Sequence, residues 1–222
     1  MTKALRIAQI GFNRAGTSSI SDFLRRADFK CVDHTFDRGV HKGQCVAVLI
    51  EENIAAGRKP LAGLDEWQAF TDMEYVTPDA AIYAQKRFRE IAKAHPEVKF
   101  ILNLRDKQDW LQSRAKFGGY LSTCADAAKA SEPEMLNIWS KEWDDHIAAV
   151  KDYFTPERLL ILNIDQPDEV ALCKFVGLDH VIGLRQKNKA PRGPVSKYLQ
   201  SFAFKSVASL FPQRFKNWIK NY

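Results

Sequence analysis

The chain has 222 residues, 45% of them hydrophobic and 27% charged, a globular composition with room for one large α/β domain or two small ones. Its net charge of +6 suits an anionic substrate or partner, but neither a zinc-finger spacing nor an RNP-type aromatic motif accompanies it, which argues against nucleic acid. Cysteines 31, 45, 124 and 173 form no C-x-x-C pair, the N-terminus lacks a signal-peptide pattern, and no apolar run reaches the roughly 18 residues of a membrane span, so a cytoplasmic protein with reduced thiols is expected.

The first predicted strand is LRIAQIG, residues 5–11. The loop GFNRAGTSS follows, and then a helix over 17–27. Backbone N–H groups converge where a strand passes through a glycine-flanked loop into a helix, and the helix dipole adds partial positive charge, so this is an anion site. Gly11, Gly16 and Ser18 fit the pattern G-x-x-x-x-G-K-[ST], but Thr17 stands where that pattern has lysine. Arg14 is the loop's cation. Asn13, Arg14, Gly16, Thr17 and Ser18 are candidate phosphate contacts; a plain glycine turn with an exposed arginine is the alternative.

Next come a strand over 29–33, a helix over about 40–56, and a loop or broken helix over 56–70. Pro78 and Asp79 are read as opening a helix over 78–95. KFILNLR (99–105) and RLLILNI (158–164) are near-continuous apolar runs, as in parallel strands covered on both faces. Helices are expected over 107–116, 134–153 and 167–177, with loops over 116–133. The alternation predicts a three-layer α/β sandwich, P-loop NTPase-like, around a parallel sheet of four or five strands.

Arg105 ends the third strand, and Ser113 lies two helical turns further on. Arginine with a hydroxyl is a natural pair for phosphate oxygens. The alternative is an arginine capping carbonyls or pairing with Asp106 or Asp109. A late basic loop, 183–194, carries Lys187, Asn188, Lys189 and Arg192; a solvated loop is its alternative reading. Residues 1–193 are read as the α/β domain. Residues 194–222 are read as a basic amphipathic helix that packs on it, with contact to a membrane surface as the other option.

Taken in order, these three motifs resemble those of sulfotransferases that use 3′-phosphoadenosine 5′-phosphosulfate (PAPS), and the overall pattern is closest to small bacterial members. Asn13-Arg14-Ala15-Gly16-Thr17-Ser18-Ser19 is similar to the family's first loop, which holds the 5′-phosphosulfate. Arg105 and Ser113 are similar to the pair that holds the 3′-phosphate, and Lys189 or Arg192 falls where a basic loop covers the nucleotide. The chain departs from the family in three places. Arg14 replaces a common Lys and Asn13 a common Pro; Asp106-Lys107 replaces Asn-Pro; and the late loop lacks R-K-G.

The resemblance implies sulfuryl transfer to a hydroxyl or amine of a small-molecule or glycan acceptor, without a metal. Sulfuryl transfer moves fewer charges than phosphoryl transfer, so the absent lysine points the same way. A degenerate P-loop kinase or NTPase and a non-catalytic nucleotide-binding module remain as alternatives.

The acceptor needs a general base. Asp72 is favoured and His34 is the other candidate, with a core histidine as its alternative; Asp33 and Glu74 are neighbouring carboxylates. Phe12, Phe36, Trp67, Phe70, Tyr75, Phe117 and Tyr120 would line an acceptor pocket, although at least half are expected in the core. His41, His95, His146 and His180 are read as surface or loop residues without a role.

Overall fold

The computed structural model describes residues 5–187. Asn188, Lys189, Arg192 and the expected helix over 194–222 lie outside the described residues. Five strands form a parallel sheet: β1 (Arg6–Gln9), β2 (Cys31–Asp33), β3 (Ala69–Thr71), β6 (Val98–Leu104) and β7 (Leu159–Asn163), in the order β2-β3-β1-β6-β7. The other two, β4 (Glu74–Thr77) and β5 (Ala80–Tyr83), make a separate hairpin.

The two faces of the sheet follow from the alternation of side chains along each strand. Ile7 and Ile101 point to the face packed by α1 (Thr17–Arg26) and α7 (Glu169–Phe175) through Ile20, Phe23, Leu24 and Leu172. Ala8, Phe100 and Leu102 point to the opposite face, where α2 (Val46–Ala55), α3 (Phe88–Ala94) and Val150 of α6 (Glu132–Tyr153) close the core. The three-layer α/β architecture is therefore present, with five parallel strands.

Beyond Leu104 a third apolar cluster joins Phe12 to Trp110, Trp139 and Trp143. It comes from α4 (Lys107–Ala115), α5 (Tyr120–Ala128) and α6. Helix α6 begins with a capping box: Ser131 accepts from the Glu134 N–H, and Glu134 accepts from the Ser131 N–H.

Four expectations are corrected. Residues 74–83 form the hairpin rather than helix: Pro78-Asp79 is its two-residue turn, with Thr77 Oγ1 accepting from the Ala80 N–H at 3.2 Å. Proline and aspartate start turns as readily as helices. The helical part is reduced to a 3-10 turn, Ala84–Arg87, followed by α3. β3 lies at the end of the expected 56–70 loop, and α5 within the expected 116–133 loop, entered through Gly118 and Gly119 at positive φ. β7 is an edge strand that leaves Ile161 45% exposed, so it is not covered on both faces.

Among the described residues no helix is long and apolar enough to cross a membrane. All four cysteines are free and buried.

Candidate active site

β1 lies at the centre of the sheet, with β3 on one side and β6 on the other. Where the strand order reverses, a crevice opens outside the carboxyl ends, and ligands of such sheets bind there. The β1–α1 loop emerges at this point. Gly11 lacks a side chain because Asn103 of β6 occupies the space a Cβ would need. Gly16 has φ 86°, and a Cβ there would also meet Ile164 at 2.7 Å.

Two buried amides hold the loop. Gln9 Nε2 donates to the Gly11 carbonyl at 2.7 Å and to Asn103 Oδ1. Asn103 Oδ1 accepts the Gly11 N–H at 3.0 Å, while Asn103 Nδ2 donates to the Ala15 carbonyl at 2.7 Å. The Gln9 Oε1 accepts the Asp72 N–H at 3.0 Å, so one side chain ties the loop to the exit of β3. His146 Nε2 donates to the Ile10 carbonyl at 2.7 Å; burial pushes this histidine down to about 4, and it is neutral. It is thus a core residue rather than a surface one. His95 is also buried, with Nε2 accepting the Leu61 N–H at 3.2 Å, so its surface assignment is corrected too.

Within the loop the candidates divide. Ala15 is buried, and its N–H and carbonyl are taken up by Phe12 and Asn103, which leaves little of it for a ligand. Asn13 donates its N–H to Glu74, and its carbonyl accepts from Trp110 Nε1 at 2.9 Å. Its Oδ1 is buried without a partner among the described residues. The N–H groups of Gly16, Thr17 and Ser18 form the first turn of α1, where no helical carbonyl precedes them.

Arg14 brings the second motif to the first. Its Nε donates to Ser113 Oγ at 3.3 Å, and its guanidinium lies 4.6 Å from the Phe117 ring centroid. Arg105 Nη1 donates to the Arg14 carbonyl at 3.3 Å, and Arg105 Nε is buried without a partner among the described residues. Burial and the neighbouring Arg105 lower Arg14, while Asp72 opposes them. Two converging guanidiniums beside an open helix N-terminus are an arrangement that an anion stabilises. The pairing of Arg105 with Asp109 is loose, at 3.9 Å. Lys187 at the start of the late basic loop is fastened to α1: its N–H donates to Ser19 Oγ at 2.9 Å, and its Nζ lies 3.3 Å from Asp22.

The two base candidates are neighbours because β2 and β3 are paired; the His34 N–H donates to the Thr71 carbonyl at 3.1 Å. Asp72 Oδ1 is sealed from solvent without a partner among the described residues. Burial, then Glu74 and Asp33, push Asp72 up to about 7. The Cys45 thiol, 4.0 Å from His34 Nδ1, and the Asp72 carboxylate push His34 up to about 9, so it carries charge at neutral pH. Arg14, His34 and Asp72 have φ of 62°, 59° and 52°, a left-handed backbone that non-glycine residues adopt at a cost. Among the described residues only Asp28 and Lys129 share it outside glycine.

The aromatic set divides as well. Phe12, Phe36, Trp67 and Phe70 are at most 1% exposed and belong to the core. Tyr75, Phe117 and Tyr120 keep accessible surface; Phe117 lies against Arg14, while Tyr75 packs on the core. Asp165 accepts the Asp106 N–H at 3.2 Å and serves the backbone of β6's exit. Among the described residues no cluster of three or more histidine, cysteine or acidic side chains is arranged to hold a metal.

Two features escaped the sequence reading. Gln9 and Asn103 looked like polar interruptions of apolar strands, which was the available signal. Glu74 and Arg114 form a buried ion pair at 2.9 Å with no local sequence signature. Burial opposes the Arg114 charge most strongly, but the Glu74 carboxylate leads the neighbouring groups that together hold the guanidinium above its ordinary value.

The fold and site define an α/β protein with an anion-suited loop at the exit of its central strand. Residues 6–126, more than half of the chain, match the family model described as a sulfotransferase domain, and the chain belongs to that family. Compared with curated proteins, the chain has no match.

Proposed function

We propose that this sulfotransferase-family chain moves a sulfuryl group from PAPS to a hydroxyl or amine of a small-molecule or glycan acceptor. The observation that carries the reading is the meeting of Arg105 and Ser113 on Arg14, in the loop that leads into the open N-terminus of α1. The unpartnered Arg105 Nε and the Gly16–Ser18 N–H groups suit the anionic groups of such a nucleotide. When bound, the donor supplies the sulfuryl group: the acceptor oxygen or nitrogen bonds to sulfur as the sulfur–oxygen bond to phosphate breaks, and the 3′,5′-bisphosphate leaves.

The chain's own residues divide the work. Thr17 and Ser18 cradle the 5′-phosphate, and Arg14 stabilises the charge that develops there. Arg105 and Ser113 hold the 3′-phosphate, with Lys189 or Arg192 covering it. Asp72 takes the acceptor proton, since a carboxyl held near 7 is ionised enough to accept it and basic enough to keep it. His34, charged at neutral pH, offers a donor to the acceptor or to Asp72. The free thiols favour a reducing compartment such as the cytoplasm. The basic segment beyond residue 193 is a candidate for contact with a membrane surface.

The 3′,5′-bisphosphate, at a hundredfold excess over its Kd, should raise the melting temperature by roughly 5–10 °C. Arg105→Ala should weaken the bisphosphate far more than adenosine 5′-phosphate, and equal weakening would remove Arg105 from the 3′ site. Thr17 and Ser18 hydroxyls at the head of the helix that follows a glycine-bounded loop are also the arrangement a magnesium-dependent phosphotransferase would use. Stronger stabilisation by ATP with Mg²⁺ than by the bisphosphate would therefore overturn the proposal in favour of that reading. Bisphosphate binding without turnover, unaffected by Asp72→Asn and His34→Ala, would indicate a nucleotide-binding module.

A further inference from the structure

Glu74 has no part in the roles above, yet four elements meet on it. It is 3% exposed. Its Oε1 accepts the Asn13 N–H of the β1–α1 loop at 2.8 Å and Gln85 Nε2 of the 3-10 turn at 2.8 Å. Its Oε2 accepts Arg114 Nη2 of α4 at 2.9 Å and the Tyr120 hydroxyl of α5 at 2.8 Å. Arg114 directly follows Ser113, so the helix that presents Ser113 to Arg14 is fastened by its next residue to the carboxylate that holds Asn13. Asp72 stands two residues before Glu74 on the same chain.

Arg114 is confined in turn. It is fully buried among Phe12, Tyr83, Trp110, Tyr120 and Trp139, the nearest ring centroid lying 4.7 Å away. Neither charge can turn away from the other, and a buried pair so enclosed is rigid.

We propose that Glu74 is a positioning residue that holds the β1–α1 loop, the Ser113 helix and the Asp72 turn in one register, and whose negative charge sets when Asp72 can take a proton; the mechanistic half of this rests on the sulfotransferase reading. The groups facing Asp72 are Asp33 and His34 from the exit of β2, Glu74 from its own segment, Arg114 from α4 and Arg14 from the β1–α1 loop. Of the charges, Glu74 acts most strongly, and it disfavours a second negative charge at Asp72. Its removal must therefore let Asp72 ionise at lower pH.

Glu74→Gln keeps the shape and deletes the charge. The Asp72 side-chain carboxyl, followed by ¹³C NMR, should then titrate about one pH unit below the wild-type midpoint. Bisphosphate binding should weaken about tenfold, because the Asn13 N–H loses a charged acceptor. An isolated Arg114 charge could prevent this variant from folding, so the double variant Glu74→Gln with Arg114→Met is measured beside it; it buries no unpaired charge. Its midpoint should also fall, by less, since Arg114 acts on Asp72 more weakly than Glu74 does. A midpoint that stays at the wild-type value in a folded variant overturns the proposal and leaves Glu74 as a structural ion pair only. The titration needs no turnover, so it reports on Glu74 whatever the chain transfers. Binding of the bisphosphate to the wild-type chain reports separately on the sulfotransferase reading.

Discussion

Asp72→Asn is expected to lower kcat by about 10²–10⁴, the range for loss of a positioned general base, while bisphosphate affinity stays within about twofold. The carboxyl is buried near Glu74 and Asp33 and held up to about 7. A base must be ionised to act, so wild-type kcat/KM should fall tenfold per pH unit below about 7 and level off above it. His34 is held up to about 9. If its charge assists the acceptor, activity falls again as pH rises through that value, and His34→Ala removes only the alkaline limb. Asp72→Asn should abolish the acid limb in a kcat/KM profile measured from pH 5.5 to 9.5. Survival of that limb in the variant would assign the base to another group.

Arg14→Ala is the second large effect. The guanidinium lies against Ser113 and Phe117 at the mouth of the loop, with Arg105 on the Arg14 carbonyl. If Arg14 meets charge that develops on the leaving phosphate, its loss should cost about 10²–10³ in kcat, as for removal of one preorganised donor. Binding of the bisphosphate should weaken by about tenfold, as for loss of one charge-assisted contact. Steady-state kinetics with calorimetric titration separates the two. Weaker binding with an unchanged kcat would make Arg14 an anchor for the nucleotide and place the transition-state role elsewhere.

The parts legible in sequence were those with long-range consequences written locally. β1, the glycine-bounded loop, α1 and β6 announce themselves through apolar runs bounded by glycine and polar residues. The Arg105–Ser113 spacing needs only a strand end and two helical turns, and the structure brings both residues to Arg14. β3 has three residues, too few for periodicity, so that stretch of sequence reads as loop. Yet β3 seats Asp72 between His34 and the β1–α1 loop, so the adjacency of the two base candidates depends on a strand that pattern alone does not reveal. Pro78-Asp79 fits a helix start and a hairpin turn equally well by local chemistry, and the pairing of Tyr75 with Ile82 decides for the hairpin. Glu74 reads in sequence only as a carboxylate near Asp72, and nothing local marks Arg114; only tertiary packing shows them as partners inside the protein. The same packing assigns Phe36, Trp67 and Phe70 to the core rather than to an acceptor surface.

The left-handed backbone at His34 and Asp72 sets chemistry and heat resistance against each other at the mouths of two adjacent strands. Glycine adopts that conformation without the side-chain penalty, though it loses more freedom on folding. Asp72→Gly also removes a buried carboxylate, and it should gain about 1 kcal/mol, or roughly 2–4 °C in melting temperature, while losing turnover. His34→Gly should shift the melting point in the same direction. Unchanged or lower melting points would show that the surrounding sheet, rather than these side chains, imposes the twist. A population of this fold selected for heat tolerance alone would therefore shed its active residues at these two positions first.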